Sequence, residues 1–268
     1  MNRLLILFFI IIPVIGLNAQ EKEKMVWNNH QCAVALTYDD GLNVHLDKVI
    51  PVLDSLEFRG TFYLPGNSAA LDKRLDEWRA AANRGHELGN HTLFHPCAGK
   101  SMGREWVPPD YDLDDYTIGR MVDEIRMANL LLKAVDGKTR RTFAYTCGEN
   151  AIGDSVFTGL IRDDFVGARG VFPRLENIAS VDIFDIGSFM IQDKTGEDLI
   201  KLVTQAKETG RLLVFLFHGV GGEHNINIDL EEHNKLLFYL KENERDIWIA
   251  PLAEIAEYIR NHEIPAQQ

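Results

Sequence analysis

Thr37-Tyr38-Asp39-Asp40-Gly41 closes the apolar run Cys32-Ala33-Val34-Ala35-Leu36. The run predicts a buried strand over residues 32–38 that delivers two adjacent carboxylates into a turn. Side chains alternate along a strand, so Asp39 and Asp40 share a direction only if the strand ends there. Gly41 lets the backbone turn without a Cβ penalty. Two acids at the mouth of a buried strand repel each other and lose hydration, and a nearby cation relieves both problems. An Asp-rich turn closing an ordinary strand has the same appearance, so this stretch alone does not decide the chemistry.

Outward from that strand the chain alternates. Residues 46–57 have helical periodicity through Val49, Ile50, Leu53 and Leu56. Residues 59–64 read as a strand, 71–84 as an amphipathic helix closed by Gly85, and 87–89 as a short strand. Residues 96–114 break the rhythm with a long loop holding Trp106 and Tyr111, and such loops are often functional. A helix follows to Val135, then a strand over 141–145 and poorly bounded strands within 160–168 and 181–189. Residues 196–209 read as helix, 212–217 as the clearest buried strand, 230–243 as helix, 247–250 as strand and 252–260 as helix. Strand–helix–strand alternation implies parallel strands joined by crossover helices. No internal repeat or linker is visible, so a single α/β domain is expected. The alternation does not separate a barrel from an open sheet.

Two further stretches carry candidate chemistry. In Gly85-His86-Glu87-Leu88-Gly89-Asn90-His91-Thr92-Leu93-Phe94-His95-Pro96, His91 and His95 stand at i and i+4. On a helical turn that spacing brings two imidazoles to one metal. His86-Glu87 does not begin a His-Glu-x-x-His motif, because position 90 is Asn90. Leu212-Leu213-Val214-Phe215-Leu216-Phe217-His218-Gly219 is a buried strand ending on a histidine. Taken singly, the aspartates suit a cap, the histidine pair a surface, and His218 a core.

Together, and in this order, the three stretches resemble the polysaccharide deacetylase family (carbohydrate esterase family four, the nodulation-type deacetylase domain). They match its Thr-Phe-Asp-Asp-Gly, His-Ser/Thr-x-x-His and Leu-x-Leu-His motifs, and the likeness covers roughly residues 30–260. The resemblance implies a distorted (β/α) barrel of about seven parallel strands. It implies a divalent metal, by default zinc with cobalt or nickel also suited to nitrogen and oxygen donors, held by Asp40, His91 and His95. It implies Asp39 as general base, His218 as general acid and the Cys147 backbone N–H as oxyanion donor. The expected partner is an acetylated oligo- or polysaccharide, N-acetylated like chitin or peptidoglycan or O-acetylated like xylan. Trp106, Tyr111 and Tyr145 are candidates to contact it.

Two family motifs are degraded. Arg-Pro-Pro-Tyr-Gly aligns with Ala144-Tyr145-Thr146-Cys147-Gly148, so Ala144 stands where the family's base-orienting arginine would be. Arg169 is the candidate replacement. The Asp-containing fourth motif has only an echo in Asp182-Ile183-Phe184-Asp185; one of these acids is expected to hold His218, with Asp193 in competition. These departures leave two other readings open: a carbohydrate-binding protein of the same fold without turnover, and a metal-dependent amidase on a non-sugar amide. Cys97 and Cys147 flank the same region, and a bridge between them is expected; Cys32 reads as a core residue.

Composition sets the frame. The chain has 268 residues, 46% hydrophobic, with net charge -12. Acidity argues against nucleic acid or an anionic membrane surface as partner. Residues 1–19 have a basic start at Arg3, an apolar stretch from Leu4 to Leu17 and a small residue, Ala19. That is the pattern of a signal peptide. The expected mature chain, 20–268, is secreted or periplasmic, with no stable membrane span after cleavage.

Overall fold

The computed structural model describes residues 27–100 and 102–262. The leader reading lies outside them. Among the described residues no helix is long and apolar enough to cross a membrane.

An eight-stranded sheet forms the body. Its strands are β1 (Cys32–Tyr38), β2 (Thr61–Leu64), β3 (Glu87–Asn90), β4 (Thr142–Ala144), β5 (Gly167–Arg169), β6 (Phe189–Met190), β7 (Leu212–Phe217) and β8 (Ile247–Ile249). The order is β5-β4-β3-β2-β1-β7-β6, with β8 paired to the first half of β1. All of these pairings are parallel. β1 and β7 are buried throughout, as continuous apolar runs at the centre of a parallel sheet should be. They run in register from Ala33↔Leu212 to Tyr38↔Phe217.

The sheet curls until its edges meet. Ile186, just before β6, donates to the Ala168 carbonyl on β5 and accepts from the Gly170 N–H. Three residues later the same segment pairs with β7 through Phe189↔Phe215. One short segment thus touches both edges, which gives the distorted barrel.

Helices α1 (Ile50–Ser55), α2 (Leu75–Asn83), α3 (Ile118–Asp136), α4 (Gly196–Thr209), α5 (Leu230–Glu242) and α6 (Leu252–Asn261) complete the fold. Alternate residues of β1 enter two cores. Val34, Leu36 and Tyr38 pack in one with Leu53, Trp78, Leu199 and Leu236. Ala33 and Ala35 face the other, with Phe143, Val214, Ile255 and Ile259.

Three local readings need correction. The helix expected over 71–84 is broken at Arg74, whose φ of -128° separates a turn at Ala69–Lys73 from α2. The helix expected from residue 46 opens as a wide π-turn over His45–Val49, in which the Ile50 N–H reaches the His45 carbonyl. Pro51 follows and has no N–H to give. The ill-bounded strands shrink to β5 and β6.

Glu87 ties β3 to α6. Its buried carboxylate accepts from the Thr142 N–H and Oγ1 at 2.6 and 2.7 Å. It also accepts from Thr61 Oγ1 and the Ala253 N–H at 2.8 and 2.9 Å. Glu87→Ala orphans two backbone donors at about 1–3 kcal/mol each, so a loss of about 2–6 kcal/mol is expected by urea unfolding. A loss under 0.5 kcal/mol would reject the clamp.

Burial also sets the acid limit. His86 and His233 are fully buried, and burial pushes each imidazole down to about 4; for His86, Asp54 offsets part of that. The unfolded chain protonates them near 6.5 and the folded chain near 4. Between those values the unfolded state binds more protons. Stability is therefore full above about pH 6.5 and falls on acidification toward pH 4, by up to about 1.4 kcal/mol per pH unit per histidine. Unfolding curves at stepped pH measure this slope; a flat profile across that window contradicts it.

Candidate active site

The β1–β7 ladder continues one residue past β1, with the Asp39 N–H donating to the Phe217 carbonyl at 2.9 Å. The chain then turns through Asp40 at φ 74° and Gly41 at φ 57°. A Cβ on Gly41 would come within 2.8 Å of the Leu64 side chain, so glycine is needed for space as well as conformation. His45 pins this turn to the end of β7. Its Nδ1 accepts from the Leu42 N–H at 3.2 Å, which leaves Nε2–H to donate to the His218 carbonyl at 2.8 Å.

His91 and His95 do not share a helical turn. They lie in a loop with Thr92 at φ 64° and His95 at φ 53°. The loop is built on Asn90, whose Oδ1 accepts from the Thr92 N–H at 2.8 Å; Thr92 Oγ1 then accepts from the His95 N–H at 2.9 Å. The rings still meet, with centroids 4.7 Å apart.

One donor atom from each of Asp40, His91 and His95 lies within 4.8 Å of the others. Asp40 Oδ1 is 3.7 Å from His91 Nε2 and 3.5 Å from His95 Nε2. His91 donates from Nδ1 to the Ala144 carbonyl at 2.9 Å, so its Nε2 lone pair faces this cluster. Burial pushes the His91 imidazole down to about 4, which keeps it neutral and able to ligate. This donor set fits a divalent metal.

Asp39 lies beside this cluster, its Oδ2 3.8 Å from His91 Nε2. Both its oxygens accept from Arg169 Nη2, at 2.7 and 2.5 Å. Burial alone would raise this carboxyl, but the guanidinium overrides it, with His91 and His218 adding, and holds the group below its ordinary value. Arg169 reaches Asp39 from the end of β5, the strand beside β4, where Ala144 sits.

His218 stands across the cleft, its Nε2 3.9 Å from Asp40 Oδ2. Burial lowers its pKa, against the pull of Asp39 and Asp40. Among the described residues its buried Nδ1 has no hydrogen-bond partner. Asp182 and Asp185 do not hold it: they pair with Arg162 at 3.5 Å and Arg174 at 3.0 Å. The turn that carries them faces outward from the β5–β6 connection. Asp193 meets the Asn227 carbonyl through its backbone N–H.

Sequence reasoning missed His224. Its ring stacks on His218 with centroids 4.8 Å apart, and its Nε2 is 3.7 Å from Asp40 Oδ2. The two Asp40 oxygens therefore face two different histidine pairs. A histidine six positions past His218, just beyond Gly221-Gly222, was the available signal.

Cys147 adopts φ 53° and is bridged to Cys97, with Cα atoms 5.8 Å apart. The bridge ties the His95 loop to the turn after β4. Of the aromatic candidates, Tyr111 stacks on Phe94 at 5.0 Å, and Trp106 is exposed. Tyr145 is a correction: it is buried and its hydroxyl donates to the Phe184 carbonyl at 2.9 Å, so it offers no surface to a ligand.

Residues 27–157 match the family model described as polysaccharide deacetylase. A peptidoglycan-N-acetylglucosamine deacetylase of Bacillus cereus is 36% identical over 72 residues, covering 26% of this chain and 26% of that protein. A chitin deacetylase of Colletotrichum lindemuthianum is 27% identical over 127 residues, covering 45% of each. The chain spans about half the length, or less, of the curated relatives it matches. A crystal structure titled a putative polysaccharide deacetylase from Mycobacterium smegmatis aligns with TM-score 0.60 at 17% identity, covering 89% of this chain and 94% of that one. The last likeness is one of fold.

Proposed function

The chain belongs to the polysaccharide deacetylase family, and on that premise we propose that it is a metal-dependent hydrolase removing acetyl groups from a carbohydrate. The observation that carries this reading is a single cleft with two kinds of carboxylate. Asp40 sits among histidines suited to a metal, and Asp39 is held ionised beside it by Arg169.

A divalent metal at Asp40, His91 and His95 would supply a Lewis acid and make a water acidic near neutral pH. Asp39 accepts the proton of the attacking water. Arg169 keeps Asp39 charged and oriented for that transfer. The backbone N–H of Cys147 is the candidate donor to the oxyanion that forms at the acetyl carbonyl. His218 gives a proton to the departing nitrogen or oxygen. The products are acetate and a freed amine or hydroxyl. Trp106 and Tyr111, on the loop after His95, with Phe94 stacked on Tyr111, are the surfaces offered to sugar rings. Export to the periplasm or beyond suits a polymeric substrate and the leader-like start.

The binding-only reading drew its support from the missing arginine. Arg169 supplies a guanidinium to Asp39 from the neighbouring strand, which favours turnover. The test is acetate release from chito-oligosaccharides and acetylated xylan side by side, with zinc and with chelator. Release from at least one class, lost with chelator and restored by zinc, is expected. No release from either, with metal shown to be bound, would return the binding-only or amidase reading.

A further inference from the structure

His95 has two donor sets on its two sides. Its Nε2 faces Asp40 at 3.5 Å, and its Nδ1 faces the Cys97 sulfur at 3.6 Å. The atoms of His95, Cys97 and Cys147 lie within 4.8 Å of one another, as do those of Asp40, His91 and His95. While the sulfurs are bonded to each other, the first set offers no thiolate and only the second can hold a metal.

We propose that Cys97, Cys147 and His95 form a second, reduction-gated metal site that competes with the catalytic one for His95. The proposal concerns the same cleft as the proposed function but does not depend on turnover. A dithiol reductant would open the bridge: the reductant is oxidised to its own disulfide, and Cys97 and Cys147 each gain a hydrogen. A divalent metal then binds both sulfurs as thiolates, releasing two protons to water.

Thiolates are softer donors than a carboxylate and favour zinc and cobalt. A neutral imidazole has a lone pair on only one nitrogen. Ligation through Nδ1 therefore puts the proton on Nε2 and removes His95 from the Asp40 side. The cysteines do not have to be brought from a distance, because the bridge already holds them beside the ring. Cys97 is fully buried, which protects the thiolate site from water once formed.

Cobalt(II) alone is the probe, added at one equivalent to the metal-free whole chain. One sample keeps its disulfide. The other is reduced with a phosphine, which takes its oxygen from water as it becomes the phosphine oxide, and is then freed of reagent. A thiolate-to-cobalt charge-transfer band is expected only in the reduced sample. It should vanish completely in reduced Cys97→Ser/Cys147→Ser, and in the wild type on reoxidation. Circular dichroism shows whether each variant is folded, and single Cys147→Ser gives a second folded probe that should show a weakened band.

Titration then separates competition from coexistence. One cobalt per reduced chain is the expected stoichiometry. Two cobalt ions per reduced chain, or one with no thiolate band, would overturn the proposal. Failure of the oxidised chain to bind cobalt would instead count against the proposed function, and would leave the band in the reduced chain standing.

Discussion

Asp39→Asn is expected to lower acetate release by about 10²–10⁴-fold, the range for loss of a general base, with bound metal unchanged. The substitution is nearly isosteric and leaves Asp40, His91 and His95 in place. It removes the negative charge that Arg169 holds in position at 2.5 Å and with it the group proposed to take the water's proton. Metal content by atomic emission and acetate release by coupled assay are measured on the same sample. A variant that keeps metal and more than a tenth of wild-type activity would show that Asp39 is not the base. A variant that loses metal as well would place Asp39 in the metal-holding set.

The second large effect is on stability. Arg169 is completely buried, and its partner Asp39 is 3% exposed. Removing one member of a buried ion pair leaves the other charge uncompensated and typically costs about 3–5 kcal/mol. Arg169→Met should fall in that range by chemical unfolding, and should also reduce acetate release, because an unpaired Asp39 no longer holds its charge. Asp39→Asn in the Arg169→Met background should cost far less stability than in the wild type, since no buried guanidinium is then left for it to strand. Additive losses in that double-mutant cycle would mean that the contact is not a coupled pair. The guanidinium carbon also lies over the Tyr63 ring, 5.0 Å from its centroid, a contact whose charge methionine does not reproduce.

The strands that organise this fold were legible because their burial is written in their composition. Cys32–Tyr38 and Leu212–Phe217 are continuous apolar runs, and the structure buries every residue in both. The long helices at Ile118–Asp136, Gly196–Thr209 and Leu230–Glu242 were legible for the same reason, since each carries a periodic apolar face between recognisable ends. Phe189–Met190 was not, because two residues have no periodicity. Its strand character comes from pairing with β7 after the sheet has curled.

The candidate site divides in the same way. Asp39, Asp40, His91, His95 and His218 follow strands in the sequence, so strand prediction places them toward the carboxyl ends of parallel strands. The helical spacing expected of His91 and His95 is not what brings their rings together: Asn90 and Thr92 build a loop whose turn does what a helix would have done. His45 carries no local signal and is a buried brace; His224 had only its place just beyond Gly221-Gly222 to mark it, and the loop after His218 brings its ring in.

By itself, the sequence determined the central strands, the parallel alternation and the acids and histidines at the strand ends, because burial and turning act over a few neighbouring residues. Only the tertiary structure decided that Arg169 serves Asp39 across 130 residues of chain, that Asp182 and Asp185 do not serve His218, and that Cys97 meets Cys147. Those contacts depend on strand order and on the closure of the sheet through Ile186, which bring distant segments together; the sequence offered Arg169 and the two cysteines only as candidates, and the acids at 182 and 185 for a role they do not fill.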